Sequence, residues 1–142
     1  MIAEKGFSLT ETIIALSILA LIAAGVSASF LSVAPKYRLQ SAVRKVQSRL
    51  NYARYKAIFE EAKVRIKFDP TGYSLEKYDE EQKEWKEERK FFLQGVTLHS
   101  NNSPVFHPKG TVSNLASITI SNSWGVYRIT LAISGRIKTV RL

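Results

Sequence analysis

The sequence predicts an α+β protein, one long N-terminal helix packed on an antiparallel β-sheet head. Three observations carry this expectation. No ionisable side chain occurs from Thr12 to Pro35. Apolar residues then recur at helical spacing through Leu39, Val43, Val46, Leu50, Ala53 and Ala57. After Glu61 the pattern changes to a period of two, punctuated by turn residues. A chain of 142 residues has room for one modest domain and one further element.

The uncharged stretch, written as a helix, is about 36 Å long, enough to cross a hydrocarbon core of roughly 30 Å. One acid, Glu11, stands at its head, and a Lys-Gly pair (Lys5, Gly6) precedes it. Three readings fit. A cleaved secretory signal could end at Val26-Ser27-Ala28, although its apolar core is ordinarily shorter. A plain signal anchor explains the length but leaves Gly6 and Glu11 without a role. The third reading uses every residue. "KGFSLTE" followed by an apolar run resembles the type IV prepilin signature of pilins and type II secretion pseudopilins. That resemblance implies a leader, residues 1–6, cut between Gly6 and Phe7, with Phe7 becoming the N-methylated first residue and Glu11 the fifth mature residue.

An acid in a bilayer costs about 2–3 kcal/mol at the centre and less near the end. In a stack of such helices, the Glu11 carboxylate of one chain would meet the Phe7 ammonium of its neighbour. Each charge alone is costly in low dielectric and tolerable when paired. The acid would thereby select an axial offset, as a buried polar residue fixes register in a coiled coil. The simpler account is that Glu11 favours the positive end of its own helix dipole.

Pro35 is expected to interrupt or kink the helix, because proline removes a hydrogen bond and clashes with the preceding turn. Beyond it Arg38, Arg44, Lys45, Arg49, Arg54 and Lys56 decorate the faces away from the apolar stripe. If residues 7–59 form one helix, it is about 80 Å long. The expected divisions are 1–6 (leader), 7–34 (transmembrane or filament-core helix), 35–61 (amphipathic continuation) and 62–142 (β-rich head).

In the head, "KVRIKF" and "YSLEKY" alternate around "DPTG" (69–72), a hairpin signal. "DEEQKEWKEERK" (79–90) reads as a helical turn or an exposed hairpin tip leading into "KFFL". Its six carboxylates interleave with cations and lack the spacing of a calcium loop, so a solvated loop is the expectation. "GVTLHS" (95–100) reads as a strand, and "VFHPKGT" (105–111) contains a turn. "ASITISN" (116–122), "GVYRITLAI" (125–133) and "RIKTVRL" (136–142) read as strands, the last two joined at Ser134-Gly135. Their alternation sets Val126 and Ile129 against Tyr127, Leu131 and Ile133, with the inward face unassigned.

A prepilin start, a head of this size, Phe106-His107-Pro108-Lys109-Gly110-Thr111 and a terminal "SGRIK" hairpin together resemble the GspH/FimT family of minor pseudopilins and minor pilins. The resemblance implies a low-abundance subunit near the tip of a type II secretion pseudopilus or a type IV pilus. It would lie in the bacterial inner membrane with its head in the periplasm. It would be processed by a prepilin peptidase and assembled with other pilin or pseudopilin subunits by an inner-membrane platform.

Charge and composition narrow the rest. With no cysteine there is neither a disulfide framework nor a thiolate metal site. His99 and His107 are the only histidines, and no nucleophile elbow, P-loop or dinucleotide fingerprint occurs, so neither an enzyme nor a cofactor is expected. The net charge of +9 fits nucleic acid, an anionic membrane face or an acidic protein. No side-chain carboxylate follows Glu88, whereas seven cations do. The resemblance also extends to the FimT-like minor pilins, a subset implicated in DNA uptake through a basic "GRxR"-like C-terminal motif. Here "GRIK" (135–138) has lysine in the second basic place, which attracts phosphate without the bidentate fork. Arg128, Arg136 and Lys138 could present one cationic face, with Arg141 on the other face or past the strand. The plainer reading is a charged edge strand that resists aggregation.

Overall fold

A computed structural model describes residues 8–142. The chain divides after Ala34 into two compact units. One helix, α1 (Leu9–Phe59), contributes to both, and nine strands follow it.

In the first unit the segment Leu9–Val26 has a mean hydropathy of 2.1, and none of it is buried within the protein. Ile13, Leu16, Leu19 and Ile22 are each more than half exposed. By length and composition this stretch can cross a membrane.

The second unit begins at Pro35. Of the expected break or kink, the break does not occur, since the helix runs through Pro35. Proline removes one intrahelical bond, and the turns on both sides persist. The proline's own carbonyl gains a partner in the Asn122 side-chain amide, at 2.7 Å. That amide also donates to Gly95 O at 3.3 Å, and Asn122 Oδ1 accepts the Trp124 N–H at 2.9 Å.

From Leu39 the helix buries the predicted stripe. Leu39, Leu50, Ala53 and Ala57 are fully buried, and Val43 and Val46 nearly so. The helix ends in a reversal in which Ala62 N donates to Ala57 O, with Glu61 in the left-handed region at φ 49°.

Two antiparallel sheets complete the head. The first contains β1 (Val64–Asp69), β2 (Gly72–Asp79), β3 (Glu84–Phe92), β5 (Val105–Phe106) and β6 (Val112–Ser113), in the order β3-β2-β1-β5-β6. The second contains β4 (Thr97–Ser100), β7 (Ser117–Asn122), β8 (Gly125–Leu131) and β9 (Ile137–Arg141), in the order β4-β7-β8-β9. Val64, Ile66, Leu75 and Phe106 of the first sheet and Leu98, Ile118, Ile120 and Ile129 of the second bury against α1 in one core. Val112 N–H donating to Ile133 O at 2.8 Å joins the sheets. Gln47 Nε2 donates to Thr139 Oγ1 at 2.6 Å and ties α1 to β9. Arg54 Nε reaches Gly110 O at 3.0 Å, and its side chain also lies against Gly135. One helix residue thus braces two turns.

The run 79–90 is the hairpin tip of the two expected forms, with far less loop than the sequence suggested. Only its first part is a turn, and Glu84–Phe92 is a nine-residue strand paired with β2 along its length. A bulge between the pairs Leu75↔Arg89 and Glu76↔Glu87 leaves Glu88 as the extra residue. This allows the Glu88 carboxylate to reach Lys56 on the helix, at 3.0 Å. In β8, Tyr127, Ile129 and Leu131 all face the core. Ile129 therefore groups with Tyr127 and not with Val126, as strict alternation requires. Ile133 lies beyond the strand and is 65% exposed.

An ion network closes the far end of the helix. Glu60 accepts hydrogen bonds from Lys56 and Lys77, each at 2.7 Å. The Lys56 bond foremost, with that of Lys77, holds the Glu60 carboxyl below its ordinary 4.5, outweighing partial burial. Burial alone would lower Lys56, but hydrogen bonds to Glu60 and Glu88 hold its pKa above 10.5. A depressed carboxyl stabilises the fold above its unfolded value, and the gain is lost as pH falls through the folded one. Head stability should therefore be level near neutrality and fall below pH 4.5. Glu60→Gln should cost about 0.5–1 kcal/mol at pH 7 and flatten part of the acid decline. Urea midpoints of both proteins across the acid range check this, and parallel declines would refute the assignment.

Candidate functional site

The first candidate site is the start of α1. Ser8 precedes the helix and its carbonyl accepts the Thr12 N–H at 3.1 Å. Ser8 Oγ pairs with Thr10 Oγ1 at 2.8 Å, while the Thr12 and Ser17 hydroxyls donate to carbonyls four residues back, at 3.3 and 2.8 Å. These hydroxyls are satisfied within the helix and can enter an apolar medium at little cost. Glu11 differs. It lies in the first helical turn and is exposed, and among the described residues nothing bonds or pairs with its carboxylate. A carboxylate beside an unburied apolar surface therefore needs either water or a cation supplied by another molecule. Gly6 and Phe7 lie outside the described residues.

The second candidate is the C-terminal hairpin. Gly135 N donates to Ala132 O at 2.8 Å and Ala132 N to Arg136 O at 2.9 Å, with Gly135 at φ 80°. This is a turn with glycine in the left-handed position, centred where the sequence placed it. Arg128, Arg136, Lys138 and Arg141 are all exposed. The register pairs Arg128 with Val140 and Lys138 with Thr130, so Arg128 and Lys138 share the outer face of the sheet. Arg136 sits in the turn. Arg141 pairs with Tyr127 on the inward side, and its guanidinium lies 4.0 Å from the Trp124 ring centroid. Arg136 and Lys138 border one hollow with Thr130, so the hairpin gathers these two, sets Arg128 on the face that Lys138 occupies and turns Arg141 away.

His99 is exposed opposite Thr119, and His107 Nε2 meets Ser113 Oγ at 2.7 Å beside the Pro108 turn. Among the described residues no cluster of three or more His, Asp or Glu is placed to hold a metal ion.

Sequence reasoning missed a further feature, a basic trough between α1 and the end of β3. The periodicity set Arg44, Lys45 and Arg49 off the buried stripe, but nothing local revealed that β3 would wall them in.

Residues 1–27 match the family model described as the prokaryotic N-terminal methylation motif. No curated protein sequence matches the chain. Among solved structures, the minor pseudopilin EpsH of the Vibrio cholerae type 2 secretion system superposes with a TM-score of 0.62 at 12% identity. The match covers 73% of this chain and 97% of that one. The type IV minor pilin FimU of Pseudomonas aeruginosa superposes with a TM-score of 0.60 at 19% identity, covering 74% and 90% of the two chains. The chain thus has the type IV pilin fold, a long N-terminal helix and an antiparallel β-sheet head, behind an N-methylation motif.

Proposed function

We propose that this chain is a minor pilin or pseudopilin subunit of a type II secretion pseudopilus or a type IV pilus. In this reading a prepilin peptidase removes residues 1–6 and methylates Phe7. Residues 7–34 hold the chain in the bacterial inner membrane, while 35–61 and 62–142 form a periplasmic head. An inner-membrane platform then transfers it to a site near the filament tip, where other pilin-like subunits surround it. Its role is structural, with no catalysis of its own.

One observation supports this above the rest: the methylation motif, the unburied apolar helix and the pilin-type head occur in one continuous chain. Each has other uses alone, but together they describe a subunit that is first a membrane protein and then a filament component. Mass spectrometry of the native protein tests it. The expected N-terminus is methylated Phe7, and an intact Met1 or a terminus at Ser29 would refute the reading. A DNA-binding role stays secondary, because Arg128, Arg136 and Lys138 offer only three cations for phosphate contacts and lysine lacks the bidentate fork.

A further inference from the structure

We propose that the trough between α1 and the C-terminal end of β3 receives an acidic segment of the adjacent pilin-like subunit. The proposal rests on the filament reading above. The groove has a volume of about 620 Å3 and is lined by Tyr37, Ser41, Arg44, Lys45 and Arg49 of α1 and by Phe92 of β3. The buried side chains of Tyr73 and Leu93 also border it. A second hollow of about 530 Å3 continues it past Arg38 and Gln94.

The cations of this trough are unspent. Among the described residues no carboxylate lies within ion-pair distance of Arg44, Lys45 or Arg49. Every side-chain carboxylate of the head falls between Glu60 and Glu88. Arg49 is held in place by rings, 4.0 Å from the Phe91 centroid and 5.2 Å from Tyr52. Tyr37 and Phe92 stay 65% and 68% exposed at the rim. Arginine and aromatic side chains around a concave surface are the composition of protein interfaces, where apolar contact accompanies each ion pair.

The complement is visible on the same fold. β3 is an edge strand. At its other end the β2–β3 turn carries Glu80 and Glu81, flanked by Glu84 and by Asp79, which pairs with Lys86, and the Glu80 side chain is 72% exposed. A neighbour with this division of charge would bring such a turn to the trough. Donor and acceptor at opposite ends of one strand suit the head-to-tail contacts that build helical filaments.

Site-specific photo-crosslinking tests this in the full chain, expressed with its native assembly partners. A benzophenone amino acid at Ser41 or at Ser48, which also lines the groove, should form an adduct with a second chain bearing a methylated mature N-terminus. The cross-linked peptide should be rich in Asp and Glu. The double reversal Arg44→Glu, Lys45→Glu should lower the adduct about tenfold, and Arg44→Ala, Lys45→Ala by less. Both residues are exposed, so thermal unfolding should be unchanged. The proposal is overturned by an adduct indifferent to the reversal, an adduct on a non-acidic segment, or a nuclease-sensitive adduct. Absence of any adduct from a chain still processed at Phe7 and present in filaments also overturns it, while leaving the filament reading intact. Absence of processing at Phe7 removes both.

Discussion

Glu11→Ala should leave the chain inserted and processed but exclude it from filaments. The substitution lowers the cost of residence in lipid, so the membrane pool should persist or grow. In the proposed filament it strips the neighbouring Phe7 ammonium of its only counter-charge within an apolar bundle. Breaking a buried pair by removing one partner costs about 3–5 kcal/mol. That shifts the partition between membrane and filament by more than about 100-fold. Glu11→Asp keeps the charge on a shorter arm and should retain part of the incorporation, whereas Glu11→Gln should resemble alanine. Quantitative blotting of sheared filaments against membranes reads the ratio. Normal incorporation of the alanine variant would refute the pairing and leave Glu11 to its helix dipole.

Gly72→Ala should be the most damaging single methyl in the head. A Cβ at Gly72 would overlap Phe91 O and lie 3.0 Å from its carbonyl carbon. Both atoms are backbone, in the strand paired with β2, and neither can rotate aside. Relief requires prying β3 from β2 where Gly72 faces Phe92, next to the stack of Tyr73 on Phe91 with centroids 5.2 Å apart. Overpacking of this kind costs about 3 kcal/mol or more. Gly125→Ala is the control, since its Cβ would meet only Arg141 side-chain atoms at 3.7 Å, an ordinary contact. Urea unfolding followed by tryptophan fluorescence should show a large loss for the first and almost none for the second. Equal midpoints would show that β3 yields locally and that the close approach carries little stability.

The helix and most strands were legible because their signals are local. The uncharged run, the stripe from Leu39 to Ala57 and the Asp69–Gly72 turn each declare themselves within a few residues. Strand β3 did not, for a definite reason. Its bulge at Glu88 shifts the phase, so that Trp85 stands on the outer face beside Tyr78 while Phe91 turns inward onto Tyr73. In an unbroken alternation these two odd-numbered residues would share a face. Six acids without visible period two therefore read as loop. Glu11 was legible as an anomaly, a charge heading an apolar run. The trough was not, because its walls come from residues 37–49 and 91–93, far apart in the chain. The division among the C-terminal cations depended on register, which the sequence left open until Tyr127 was seen opposite Arg141.

Asn122 has a mechanical meaning. In the proposed filament pathway, a subunit drawn from a bilayer would be hauled by its helix, and the pull would enter the head at Pro35. There a single amide grips the helix carbonyl, the strand-entry carbonyl of Gly95 and, through its oxygen, the Trp124 amide. Under that pathway tension would pass at once to two strands of the second sheet, before it reached the greasy seam at Leu39 and Ala42. The head is fastened at its tow point.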